Sequence, residues 1–388
     1  MRRKANWAGT ALAVGTAIVM AAGPAQAQTA TGWRINKVFA RPHLLDLQAV
    51  AASGAGNAWL LGLVPNPEPT FVTERWNGRR WANVPLPARL TNVIGPWELF
   101  SNVYTTSPKN TWFFPVLPKK GLVATQYALH WNGTAWKISE VTSSPDTVLD
   151  AAVFGSRNVW TFGEAGSSFP DYGPAVVRHW NGRAWQKVAV PVGTPVTVDG
   201  VAPDDIWALG VSKATVNDQH QVTIAMHWNG QKWSAPRLPA LRPVKKGHPW
   251  VATAISATGP RSVWVTETPQ INERTGTGPA GLVLLHWNGS TWNTVARDMK
   301  LTGANGLTPD GHGGFWLTAT DPARSTASDI IDYRHGRFTS QQAPTQPGHA
   351  GSATGILAVP GTGSFWATGT LLPLKAGDFK TDILRYLP

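Results

Sequence analysis

The residues with the widest chemical range in this chain are histidines, carboxylates and a few tryptophans, because cysteine is absent altogether. Without thiols there is no disulfide, no thiolate nucleophile and no zinc–thiolate site. Four histidines, His130, His179, His227 and His286, each stand immediately before a Trp-Asn-Gly triplet. Four imidazoles would suit a metal ion, but ligands must meet in space. Equivalent positions of separate repeat units do not meet, so a structural role is expected, with no metal site and no cofactor.

Two other sets remain open. Asp46, Glu98, Asp150 and Asp199 fall in or beside short apolar stretches that read as the innermost strands of successive units. Carboxylates gathered round a channel suit acid–base chemistry or a cation; carboxylates simply left in water do neither. Trp97 and Trp250 each follow a proline and lie outside the repeat, and Arg242, Lys245, Lys246 and His248 stand beside the second. An exposed aromatic next to cations suits a sugar ring or an anionic polymer. The plainer alternative makes both tryptophans plugs between units.

The elements that position these residues follow from internal repetition. Trp76-Asn77-Gly78 recurs at Trp131, Trp180, Trp228 and Trp287, each time with a second Trp five residues after the first. A degenerate copy runs from Arg334 to Phe338. Asn-Gly between strand-forming residues signals a two-residue type I′ hairpin. That turn would pair Trp131 with Thr134 and set Trp131 diagonally across from Trp136. A second series, Trp59, Trp112, Trp160, Trp207, Trp264, Trp316 and Trp366, precedes the hairpins at intervals of 47 to 57 residues. Each follows a turn-rich segment, itself preceded by an apolar stretch such as Thr147 to Val153. Four strands per unit of roughly 50 residues is the pattern of a propeller blade.

The termini predict how the ring closes. The seventh unit stops after a third strand at Asp382 to Tyr386, while Gly32 to Val38 resembles a fourth strand with nothing before it. Joining them predicts an all-β, single seven-bladed propeller over 28–388 with no open edge. The turns from first to second strand, and the Asn-Gly turns, share one face. The longer connections, Val64 to Thr70, Glu164 to Gly173, Val211 to Gln221 and Glu267 to Ala280, share the other. Variable loops on a rigid scaffold are where binding residues usually sit.

Ahead of the repeats, Arg2, Arg3 and Lys4 precede an apolar run from Ala8 to Ala22 and a small-residue site at Ala25-Gln26-Ala27. This reads as a signal peptide over 1–27, the run being too short for the ~20 residues that span a bilayer. Removing it takes away three bases and no acid, leaving 31 Lys and Arg against 22 Asp and Glu. That excess looks dispersed along the chain, and export removes the usual nucleic-acid partner.

These blades resemble the broad group of bacterial secreted propellers with Trp-Asp-Gly or Trp-Asn-Gly hairpins, and loosely the tectonin-type and kelch-type propellers. The resemblance covers nearly all of 28–388 and implies architecture, not activity. The expectation is a secreted, extracellular, monomeric and non-enzymatic binding module. It would recognise a carbohydrate or anionic cell-surface polymer on its variable-loop face, without nucleic acid or membrane span. The alternatives are a polysaccharide hydrolase or lyase using the channel carboxylates, and an extracellular protein-interaction platform.

Overall fold

The computed structural model describes residues 32–39, 46–64, 70–88, 102–118, 124–142, 146–166, 173–190, 193–211, 223–270, 278–323, 327–375 and 379–388. The expected signal peptide, Trp97 and Glu98 lie outside these residues, as do the middles of the long connections.

Seven antiparallel sheets form the molecule, with no α-helix among the described residues. Blade 3 shows the plan: Asp146–Val153, Val159–Ala165, Ala175–Trp180 and Trp185–Val188 pair in chain order. The first strands of blades 1 to 7 are Asp46–Gly54, Val103–Ser107, Asp146–Val153, Thr194–Ala202, Trp250–Gly259, Thr302–Pro309 and His349–Ala358. Each touches the next, and the seventh touches the first, so they form the inner ring. Blade 2 adds a short fifth strand, Val116–Pro118.

Blade 7 closes as the termini predict. Gly32–Phe39 pairs with Lys380–Leu387 as the outermost strand, with Trp33 opposite Tyr386. The same strand also reaches into blade 1, where Trp81 Nε1 donates to Asn36 Oδ1 at 3.0 Å and Lys37 pairs with Glu74.

Packing between blades is aromatic. The second-strand Trp of one blade enters the Trp pair of the next: Trp59 meets Trp131 and Trp136 at 5.6 and 5.4 Å. Trp160, Trp207 and Trp366 repeat this against Trp228 and Trp233, Trp287 and Trp292, and Trp76 and Trp81. Such aromatic pairs are each worth about 0.5–1.5 kcal/mol beyond their buried area.

The Asn-Gly hairpins depart from expectation. Trp131 lies directly opposite Trp136, with Leu129 opposite Ile138. The loop is therefore Asn132 to Ala135, and Asn132 does not adopt positive φ, whereas Gly133 does at 103°. The reason is the asparagine side chain. Its Oδ1 accepts the backbone N–H of Thr134 and of Ala135, both at 3.0 Å, which satisfies the loop without a type I′ turn. A two-residue turn appears instead in the degenerate copy, where Arg334 pairs with Arg337 around His335 (φ 50°) and Gly336 (φ 79°).

Candidate functional site

The four histidines are parts of the scaffold. Each is paired across the sheet with its own blade's second-strand Trp and stacks on it, at 4.1 to 4.4 Å between ring centroids. A side chain two residues before the Trp holds both rings. In blade 2, Asn110 Oδ1 accepts from Trp112 Nε1 at 2.9 Å and lies 2.8 Å from His130 Nε2. Asn158 and Asp205 do the same in blades 3 and 4. Burial pushes His130 down to about 4, helped by Lys137, so it is neutral at physiological pH. Arg75 and Arg385 take the equivalent position in blades 1 and 7 and lie over Trp59 and Trp366. Among the described residues no group of three or more His, Asp or Glu could hold a metal ion.

Of the expected channel carboxylates, the fold brings Asp150 and Asp199 into electrostatic reach of each other. Asp150 Oδ1 accepts from Tyr104 of blade 2 at 2.6 Å and from its neighbour Ala151 N, and Oδ2 accepts from Val198 N of blade 4 at 2.7 Å. Asp199 Oδ2 accepts from Ala257 N of blade 5 at 2.8 Å, and Oδ1 from Gly200 N. Each carboxylate thus straps its blade to the next, and all four oxygens are occupied. Burial raises both groups above the ordinary carboxylate range, Asp199 to about 6, with the charge of Asp150 adding a small push. Asp46 opens the first strand of blade 1.

Around Trp250 the structure decides between the two readings. Trp250 begins the inner strand of blade 5, is only 8% exposed, and packs with Trp207, Leu238 and Leu241. Its Nε1 donates to Arg242 O at 2.9 Å. It is a plug rather than an exposed stacking platform, because the connection from blade 4 folds down over it. That connection is a built turn. His248 N donates to Lys245 O at 3.1 Å, His248 Nδ1 donates to Gln270 O at 2.7 Å, and Gly247 supplies a φ of 83°. Arg242, Lys245 and Lys246 are exposed on its outer side, and His248 is half-buried.

Beside this turn lies a cleft of about 170 Å³ between blades 4 and 5. Leu209, Val211 and Thr223 form one wall; Val251, Ala252 and Gln270 form the other. Thr223 Oγ1 accepts from Ala252 N at 3.0 Å and ties the walls together. Gln270 Oε1 is buried with no partner. Glu267, the cross-strand partner of Ala252, is 4% exposed, and burial pushes it up to about 7. Sequence reasoning missed Glu267 and Gln270, since both sit among strand and loop residues with no motif round them.

No protein-family model matches the chain, and no curated protein matches its sequence. Solved structures do match in fold. A polysaccharide lyase, an ulvan lyase bound to -[GlcA(1-4)Rha3S]-, superposes with a TM-score of 0.55 at 11% identity, covering 89% of this chain and 95% of that one. The β-propeller domain of the trilobed protease from Pyrococcus furiosus gives 0.53 at 9% identity, covering 87% and 97%. That domain is described as having an open velcro topology, whereas here the first and last strands pair. The SapL1 lectin in complex with α-methyl fucoside gives 0.47 at 13% identity, covering 78% and 97%. The class that the seven blades and the first two of these likenesses define is the β-propeller fold.

Proposed function

We propose that this is an exported, non-enzymatic binding module that recognises a carbohydrate or an anionic cell-surface polymer on its loop face. The contact point is the cleft between blades 4 and 5. One observation carries the reading: three exposed cations, Arg242, Lys245 and Lys246, stand on a turn anchored by Trp250 beside that cleft. A rigid turn loses little freedom on binding, which favours affinity. The unpartnered Gln270 Oε1 on the cleft wall offers an acceptor that suits a hydroxyl donor. At about 170 Å³ the space is below the ~300–1,000 Å³ of drug-sized ligand sites, so it suits a single sugar unit or chain end. The likeness to an ulvan lyase is consistent with saccharide chemistry on this fold.

A glycan array probed with the purified protein, followed by calorimetry on a hit, tests the reading. Lys245→Ala with Lys246→Ala weakens binding about three- to ten-fold at low ionic strength and less in high salt, as screened exposed charges should. Trp250→Ala instead destabilises the fold by about 3–5 kcal/mol, as loss of a buried Trp does. An array without hits, or a double variant of full affinity, sinks the proposal.

The second reading is a polysaccharide hydrolase or lyase. Asp199 held near 6 beside Asp150 and Tyr104 favours it, since an acid poised near neutrality suits proton transfer. The occupied oxygens weigh against it. Turnover of an acidic polysaccharide that is lost in Asp199→Asn would establish it.

A further inference from the structure

The turns from first to second strand and from third to fourth strand share the face opposite the loop face. Their exposed charges are nearly all basic. Arg79 and Arg80 stand in blade 1, Lys109 in blade 2, Arg157 and Arg183 in blade 3, Lys232 in blade 4 and Arg261 in blade 5. Against these seven, Asp204 is the one exposed acid in the described turns. None of the seven takes part in an ion pair among the described residues.

Three of these cations are also held in place. The stem of Lys109 crosses Gly133, that of Arg157 crosses Gly182, and that of Arg261 crosses Gly289. A Cβ on those glycines would lie 2.8, 2.9 and 2.7 Å from the crossing side chain. In blades 2, 3 and 5 the Asn-Gly turn therefore forms a seat for the basic residue of the adjoining turn, whereas in blade 4 Gly230 meets Asp204 and in blade 1 Gly78 meets Gly56. Stems packed on a rigid surface with heads in water keep their charge at a fixed place.

We propose that this hairpin-turn face docks a linear acidic polysaccharide, whose carboxylate or sulfate groups meet the basic residues spread over blades 1 to 5. This goes beyond the loop-face reading, since it uses other residues on the opposite side of the molecule. Charge complementarity selects a polyanion. The spread across five blades suits a polymer rather than a single sugar. The described turns expose no Trp, Tyr or Phe on which nucleic-acid bases could stack. Among the described residues Val201 is the one large apolar side chain exposed at this face, too little to enter a membrane interface.

The test measures binding of heparin and of polygalacturonate to the purified protein across a salt series, with duplex DNA and phosphatidylglycerol vesicles as comparison arms. Both glycans bind, and affinity falls steeply with salt. Arg79→Gln with Arg80→Gln, in a fully exposed turn, lowers the slope of log Kd against log salt by about 1.5. Adding Arg157→Gln and Arg183→Gln lowers it by about 3 and weakens low-salt binding by roughly ten-fold or more. Replacing the same four residues by Lys keeps the slope. Lys245→Ala with Lys246→Ala also keeps it, even where that pair weakens an array hit. Unchanged glycan binding in both Gln variants overturns the proposal. So does DNA or vesicle binding that is tighter than glycan binding and is lost in the same variants. If the loop-face variant alone removes heparin binding, this proposal falls and the loop-face reading stands.

Discussion

Asp382 occupies a hole that exists because Gly369, opposite it, has no side chain; a Cβ there would lie 2.3 Å from Asp382 Oδ1. The carboxyl is 1% exposed, its Oδ1 has no partner, and burial pushes it up to about 7. A folded pKa above the unfolded value means that the folded chain binds the extra proton between about pH 4 and pH 7. Stability from this group is thus present at low pH and lost as pH rises through about 7. Glu267 acts in the same direction, while His130, lowered to about 4, acts oppositely below pH 6.5. A difference between variants isolates the one group. Asp382→Asn is expected to raise the melting temperature at pH 8, where each unit of relieved shift is worth about 1.4 kcal/mol. The gain should be less than half as large at pH 5 and vanish below about pH 4. An increment that is the same at both pH values would show that Asp382 is already ionised in the folded state.

At the scale of the strand and turn, the Asn-Gly loop does two jobs with two residues. Asn132 caps the loop through its side chain, and Gly133 supplies a backbone angle and a space that other residues lack. Gly133→Ala strains a φ of 103° and places a methyl 2.8 Å from Lys109 Cγ. The expected loss is about 1–3 kcal/mol, part backbone strain and part overpacking. Truncating Lys109 to Ala in the same chain should recover only the packing part, leaving the backbone part intact. Denaturant midpoints of the single and double variants separate the two. Full recovery in the double variant would mean that the backbone angle is unstrained for alanine. The hairpins themselves were legible from Asn-Gly between strand formers. Their register was not, because the side-chain cap competes with the type I′ turn and the dipeptide alone does not say which prevails.

For the whole molecule, closure of the ring is the decisive contact. Removing Gly32–Phe39 bares the edge of Lys380–Leu387 and takes Trp33 away from Trp316, 5.8 Å distant. It also deletes the partners of Trp81 and Glu74 in blade 1. The truncated chain is expected to melt well below the intact one and to self-associate, because an open strand edge templates pairing. Calorimetry with light scattering reads both effects. A truncated chain that melts together with the intact protein and stays monomeric would show that closure contributes nothing.

Blade number and closure were readable from residues alone, because both rest on local signals that recur at a near-constant interval. Trp59 to Trp366 mark the second strands, the Asn-Gly copies mark the hairpins, and Gly32 to Val38 is a fourth strand in search of a blade. The scaffold role of the four histidines was readable for the same reason. What depends on neighbours from other blades was not. Trp250 reads as platform or as plug until the connection from Arg242 to His248 is seen lying over it. Glu267 and Asp382 are ordinary strand residues until the folded sheets exclude water from them. The basic excess looks dispersed along the chain, since Arg79, Lys109, Arg157 and Arg261 are each dozens of residues apart. A propeller returns every hairpin turn to the same face, so a periodic scatter in sequence becomes one charged surface in space.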